Sequence, residues 1–195
     1  MINELLKTLD ETPLEDDVFF RITECVKRTD DELELSLDIV YQYQTDVIQT
    51  WKLTCKDVHD HKISFCYFES IEEYDEHILL WRYNQPDFEL YFSSIPNDIE
   101  ALIGKLYREH IDITKQWIPF GSLFNEKVNW LLEQGNGLLA TGPEQIINVY
   151  NRALQEQGVR SSIIAKGQQQ TNNYKVLLLE DSFIIAKEFE AQMIK

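Results

Sequence analysis

The sequence predicts an α+β fold: a mostly antiparallel N-terminal sheet (a meander) with a helix, followed by a smaller β-α-β-β unit. Three observations predict it. From Val18 to Phe68 apolar and polar residues alternate with period 2, the pattern of half-buried strands. From Ile95 and again from Thr141, apolar residues recur at three- and four-residue spacing, the pattern of one buried helix face. Turn formers cluster between these runs, at Asn84-Gln85-Pro86-Asp87 and Gly135-Asn136-Gly137.

In chain order, Ile2–Leu9 predicts a short helix with Leu5, Leu6 and Leu9 on one side, ended at Thr12-Pro13 because proline disfavours helix in the residue before it. In the next strands Leu33, Leu35, Leu37 and Ile39 share one face, and Glu32, Glu34, Ser36 and Asp38 the other. A turn at Asp30-Asp31 sets Val26 opposite Leu35, Ile22 opposite Ile39 and Phe20 opposite Tyr41. A turn around Thr45 sets Ile39, Leu37 and Leu35 opposite Trp51, Leu53 and Cys55, with Asp38 beside Lys52 and Glu34 beside Lys56. A third turn at His59 pairs Cys55 with Ile63, Leu53 with Phe65 and Trp51 with Tyr67. Inward residues meet inward residues in all three hairpins, so a four-stranded meander is expected. Glu24 is the misfit, falling on the inner face.

Ser70–Glu76 reads as a helical turn, and Ile78–Tyr83 with Phe88–Ser93 as a further hairpin. A helix opens after Ile95-Pro96-Asn97-Asp98, buries Ile99, Leu102, Ile103, Leu106 and Tyr107, and runs to about His110. Residues 111–125 are irregular. Glu126–Gln134 is helical, stopped by Gly135. Gly137–Thr141 is a strand, and Thr141-Gly142-Pro143-Glu144 starts a helix that buries Ile146, Ile147, Tyr150, Ala153 and Leu154 and stops at Gly158. Val159–Ala165 and Tyr174–Leu179 are strands around the polar loop Gly167–Asn173, and Phe183–Ile194 fits strand and helix alike. The expected organisation is a β-rich acidic domain over 1–112, a connecting segment with a short helix over 113–135, and an α/β subdomain over 136–195.

Charge excludes several functions. The chain has 34 acidic and 18 basic residues, a formal net charge of −16. Residues 1–100 hold 24 acidic and 8 basic residues, and residues 101–195 hold 10 of each. Tracking of nucleic-acid phosphates needs the opposite sign, so no direct nucleic-acid partner is expected. No run approaches the ~18 apolar residues of a membrane span, and no basic stretch followed by an apolar one marks a secretory signal. Three cysteines without metal spacing fit a reducing, cytoplasmic setting. Acidic runs such as Glu15-Asp16-Asp17 and Asp30-Asp31-Glu32 are solvated loops.

No catalytic or cofactor motif emerges. Asp57, His59 and His61 share one face if extended, a set able to hold zinc or iron, but the meander makes Val58-His59-Asp60 a loop tip with Asp57 and His61 as a hydrogen-bonded pair. Gly135–Gly142 lacks the lysine and hydroxyl of a phosphate loop. Ser122 has no neighbouring base. Cys55 faces the core, Cys25 and Cys66 face away, and none has a histidine beside it. The densest mix of aromatic rings with polar tips is His77, Trp81, Tyr83, His110, Trp117, Phe120 and Trp130, a set that first of all covers the end of a core and that also suits an interface or a ligand pocket.

The expected function is a non-catalytic interaction or regulatory module. Its acidic sheet face, marked by Glu34 and Asp38, meets a basic protein, with aromatics near Trp81, Tyr83 and Trp117 as the apolar centre. Reversing Glu34 and Asp38 to lysine is then expected to slow association. The alternative is a small-molecule-binding or enzymatic domain with a pocket between sheet and helix lined by His77, Trp81, His110 and Trp117. No cofactor, metal or membrane partner is expected. The oligomeric state is open: Arg21, Lys27 and Arg28 discourage pairing at the outer strand, while the neutral C-terminal half allows a dimer.

Overall fold

Alternation of leucine and isoleucine with charged residues forces the N-terminal half into strands, because only a period of two places every apolar side chain on one face. The computed structural model describes residues 2, 4, 5, 7, 18–41, 46–65, 67–167 and 172–195. The expected helix stop at Thr12-Pro13, the loop at Glu15-Asp16-Asp17, the turn around Thr45, Cys66 and most of the polar loop after Gly167 lie outside them.

In chain order the strands are β1 (Val18–Lys27), β2 (Glu32–Tyr41), β3 (Val47–Lys56), β4 (Asp60–Lys62), β5 (Tyr67–Phe68), β6 (Glu72–Tyr74), β7 (Asp87–Phe92), β8 (Gly137–Pro143), β9 (Ser161–Ala165), β10 (Lys175–Leu179), β11 (Ser182–Ala186) and β12 (Glu188–Met193). Among the described N-terminal residues Ile2, Glu4, Leu5 and Lys7 are helical, as expected of that segment; the α-helices that follow are α1 (Trp81–Asn84), α2 (Ile99–Thr114), α3 (Val128–Gln134) and α4 (Glu144–Glu156), with 3₁₀ turns at Ile78–Leu80 and Phe120–Leu123. The strand pairs are antiparallel, and the fold is α+β.

The chain forms two compact units, Met1–His77 with Asn173–Lys195, and Ile78–Asn172. These differ from the expected 1–112, 113–135 and 136–195, because the chain from Asn173 onward returns to the N-terminal unit and completes its sheets.

The first unit holds a five-stranded sheet ordered β12-β3-β2-β1-β5 and a four-stranded sheet ordered β4-β11-β10-β6. One core joins them: Leu35, Leu37, Leu53 and Phe68 from the first sheet cluster with Leu177, Leu179, Ile184 and Ala186 from the second. The β1-β2-β3 meander is present, but its fourth place is taken by β12, which sets Phe189 opposite Cys55 and Ala191 opposite Leu53. The residues expected there go elsewhere: β4 pairs with β11 and β5 with β1. Asp57, at φ +52°, ends β3 in a left-handed turn that carries the chain off the sheet.

The hairpin registers slide from those expected. Leu35 faces Leu53 and Leu33 faces Cys55, a two-residue slip that keeps the faces and changes the partners. In β1 a bulge at Thr23 resolves the Glu24 misfit. The extra residue reverses the facing of everything towards the turn, so Glu24 is exposed and Cys25, opposite Leu35, packs against the core rather than facing away from it. Ser70–Glu76 is no helical turn, since β10 recruits Glu72–Tyr74 as an edge strand. Phe183–Ile194 resolves into two strands, β11 and β12.

The second unit packs α2 and α4 with a three-stranded sheet ordered β8-β7-β9. Asp98 caps α2 by accepting from the Ala101 amide at 2.9 Å. The helix runs one turn beyond His110 because its buried stripe, Leu102, Leu106, His110 and Thr114, continues at four-residue spacing. Tyr107 lies off that stripe and is exposed. The expected strand at Ile78–Tyr83 is the 3₁₀ turn and α1: Ile78, Leu79 and Leu80 are all buried, which an alternating strand does not allow on a single covered face. Asp87–Phe92 therefore pairs with β8 and β9.

Candidate functional site

The two carboxylates expected to mark an acidic face lie on β2, and neighbouring strands supply them with cations. Asp38, opposite Arg21 on β1 and Thr50 on β3, accepts from the Arg21 guanidinium at 2.8 Å and the Thr50 hydroxyl at 3.0 Å. Glu34 pairs with Arg28 at 2.5 Å and Lys52 at 2.6 Å. Arg28 and then Lys52 hold the Glu34 carboxyl down to about 2. This part of the sheet is a charge-paired lattice rather than an open anionic surface, so reversing Glu34 and Asp38 would disturb folding before it disturbed association.

Glu34 has a lower proton affinity folded than unfolded, where a glutamate titrates near ~4.3. Its stabilising contribution is therefore present above the unfolded value and lost as the pH falls towards about 2. Urea midpoints at pH 5 and pH 3 are expected to converge in Glu34→Gln relative to the parent protein.

The aromatic and histidine candidates separate. His77 belongs to the first unit, stacked on Tyr74 with ring centroids 5.8 Å apart, and burial lowers its proton affinity. The other six lie in the second unit. Trp81, Trp117 and Phe120 pack partly buried against its core. The Tyr83 carbonyl accepts from the Asn172 side chain at 2.8 Å. Trp130 projects from α3, 56% exposed.

The rings of His110 and Phe120 are brought together, edge to face at 5.4 Å. Their further partners are Phe124, stacked on Tyr150 at 4.9 Å and 4.8 Å from Phe120, and Tyr107, edge-on to Phe120 at 5.3 Å. Tyr150 was visible in the sequence only as a core residue of α4, since nothing local ties it to a histidine on another helix.

His110 is 0% exposed, and both its ring nitrogens are engaged. Nε2 lies 2.6 Å from the Ile118 carbonyl, which can only accept, so Nε2 carries the proton. Nδ1 then accepts from the Tyr150 hydroxyl at 2.6 Å. Burial lowers the proton affinity of the imidazole and raises the pKa of the phenol, so both groups stay neutral. The pair is a satisfied buried cross-link between α2 and α4, sealed from a substrate.

The remaining motifs have structural roles. Gly135, at φ +74°, caps α3, and Gly137–Pro143 is strand β8, not a phosphate cradle. The Ser122 hydroxyl donates to the Pro119 carbonyl at 2.8 Å. Burial raises the thiol pKa of Cys25 and Cys55. Asp57 does not meet His61 as expected but lies 3.9 Å from Lys187. Among the described residues no three His, Cys, Asp or Glu side chains converge as a metal site.

Cavities open among the described residues of the first unit. One, about 420 Å³, is lined by Ile2, Glu73, Lys175, Lys187, Phe189 and Glu190, with Glu188 beside them. Another, about 130 Å³, is lined by Lys27, Asp30, Glu32, Leu33, Val58, His59 and His61. Neither includes an aromatic or histidine expected to form a pocket. Comparison with known protein families, curated proteins and solved structures yields no match.

Proposed function

We propose that the protein is a non-catalytic cytoplasmic interaction module whose first unit docks onto a basic surface of another protein. The observation that carries this reading is how charge follows the units. Residues 1–77 with 173–195 hold 24 acidic and 10 basic residues, net −14; residues 78–172 hold 10 and 8, net −2. A field of one sign on one unit steers a partner of the other sign.

With Glu34 and Asp38 held in the lattice, the docking charge falls to exposed acids around β6 and the β10–β11 turn. Asp75, Glu76 and Asp181 are exposed there. Lys175 lies 3.0 Å from Glu73 and 3.2 Å from Asp75.

The test is capture of partners on the full-length chain at ~0.1 and ~0.5 M salt, where the Debye length falls from about 10 Å to roughly half. Association rates then compare the parent with Asp75→Asn/Glu76→Gln/Asp181→Asn. A basic partner released at high salt is expected, with association slowed about three- to tenfold in the triple variant and dissociation little changed. A partner held equally at both salts, with no change in the variant, overturns the reading.

A second reading, small-molecule binding, draws support from the larger cavity, whose volume of about 420 Å³ lies in the range of ~300–1,000 Å³ typical of ligand sites. Its two lysines, flanking glutamates and apolar floor suit a small zwitterion. Saturable thermal stabilisation by amino acids or dipeptides, absent in Lys187→Met, would favour it.

A further inference from the structure

We propose that the smaller cavity, beside the β1–β2 turn, receives one arginine side chain of the basic partner. The inference rests on the docking reading and names the group the partner would insert. The cavity volume, about 130 Å³, is well below the ~300 Å³ of sites for drug-sized molecules, so it suits one side chain.

Its wall is built in advance. The Arg28 amide donates to the Glu32 carbonyl at 2.9 Å and closes the turn; the Val58 amide donates to the Asp31 carbonyl at 2.8 Å; the His59 amide donates to the Ile185 carbonyl at 2.9 Å. Turn and loop are thus tied to each other and to β11, and a ligand entering between them need not order them.

The lining chemistry selects a cation with several donors. Asp30 comes from the β1–β2 turn and Glu32 from the first position of β2; His59 and His61 come from the loop after β3 and from β4. The other cations near Glu32 are engaged elsewhere, Arg28 with Glu34 at 2.5 Å and Lys56 with Glu190 at 2.8 Å. A metal ion would need at least three of these groups within ~2.0–2.2 Å of one point, and they do not converge in that way. A guanidinium carries five donors in a planar fork, so it can reach acceptors on two elements and lie against an imidazole. Leu33 and Val58 offer apolar surface to the methylene stem. The protein already places one cation at the rim: the Lys27 ammonium lies 3.0 Å from Asp30, on a side chain exposed enough to swing aside.

The experiment titrates full-length protein with the peptide Ac-Gly-Arg-Gly-NH2 and its neutral citrulline counterpart at constant ionic strength, following the imidazole NMR signals of His59 and His61. Saturable shifts with the arginine peptide and none with citrulline are expected. Glu32→Gln and His61→Ala should each weaken binding roughly tenfold, the loss of one charge-assisted hydrogen bond, while Glu126→Gln, exposed on the second unit, leaves it unchanged. Signals remote from the cavity establish that each variant is folded, and His61→Ala serves if Glu32→Gln is not. Equal responses to both peptides, or no response at either histidine, overturn the proposal. So does Zn²⁺ alone producing the same shifts at micromolar concentration. Salt-dependent capture that survives in Glu32→Gln with full strength rejects the cavity and leaves the docking reading standing. Loss of salt-dependent capture from the parent protein rejects the docking reading itself.

Discussion

His110→Ala is expected to destabilise the second unit by about 3–5 kcal/mol, from the lost packing of a buried ring and from polar groups left behind. The Tyr150 hydroxyl and the Ile118 carbonyl both bond the imidazole at 2.6 Å, and truncation strands both in a region excluded from water. Tyr150→Phe removes only the hydroxyl and leaves Nδ1 without its donor, an effect of about 1–3 kcal/mol. The double variant should cost less than the sum, because the two side chains share one bond. Tryptophan fluorescence in urea is a suitable readout, since Trp81, Trp117 and Trp130 lie in this unit. The pH dependence has a fixed sign. Burial lowers the proton affinity of His110 in the folded state, so the unfolded chain binds more protons below ~6.5, the ordinary histidine value. Stability is complete above that value and declines as the pH falls towards 5. Additive losses, or a stability that rises on acidification over this range, would contradict the assignment of a neutral, bonded pair.

Gly135→Ala is expected to cost about 2–4 kcal/mol, combining a left-handed backbone with a blocked Cβ position. Gly135 ends α3 at φ +74°, and an added Cβ would lie 2.4 Å from Ile95 Cγ1 and 3.0 Å from the Ile95 backbone nitrogen. A side chain can rotate away, but the Ile95 backbone leads into capped helix α2 and cannot follow cheaply. Gly158→Ala is the control. Its φ is +73°, yet nothing lies within 4 Å of the added carbon, so it should show the conformational part alone, about 1–2 kcal/mol. A difference of about 1 kcal/mol or more between the two urea-derived stabilities is the expected result, the overpacking part alone. Equal losses would show that the close approach to Ile95 carries no energy.

Local chemistry accounts for the parts of the fold that could be read directly. Helices α2, α3 and α4 follow from apolar spacing, the Asp98 cap and the stops at Gly135 and Gly158, all of which act within a few residues. The β1-β2-β3 meander follows from alternation over adjacent segments. Its register was less accessible, because two hairpins that differ by a two-residue slip bury the same faces. The bulge at Thr23 was signalled only by the misplaced Glu24.

Site residues were harder to read, for the same reason of range. His77, Trp81, Tyr83, His110, Trp117, Phe120 and Trp130 stood out by residue type and closeness in sequence. The fold divides them between two units and uses His110 as a buried cross-link. Glu34 and Asp38 stood out as acids on an outer face, but whether such an acid is open or paired depends on which cation the neighbouring strand places beside it. A slip in register changes that.

The sequence alone therefore determined the fold class, the first three strands, the principal helices of the second unit and the concentration of negative charge in the first half of the chain. All of these depend on composition or on patterns spanning a few residues. The tertiary structure decided that β12 rather than residues 60–68 flanks β3, that the C-terminal strands return to the N-terminal unit, and that the expected acidic face is neutralised while a small cavity forms beside two histidines. The physical reason is that strand pairing joins segments from opposite ends of the chain through backbone hydrogen bonds common to every sequence, so the choice among edges rests on how well whole faces bury together.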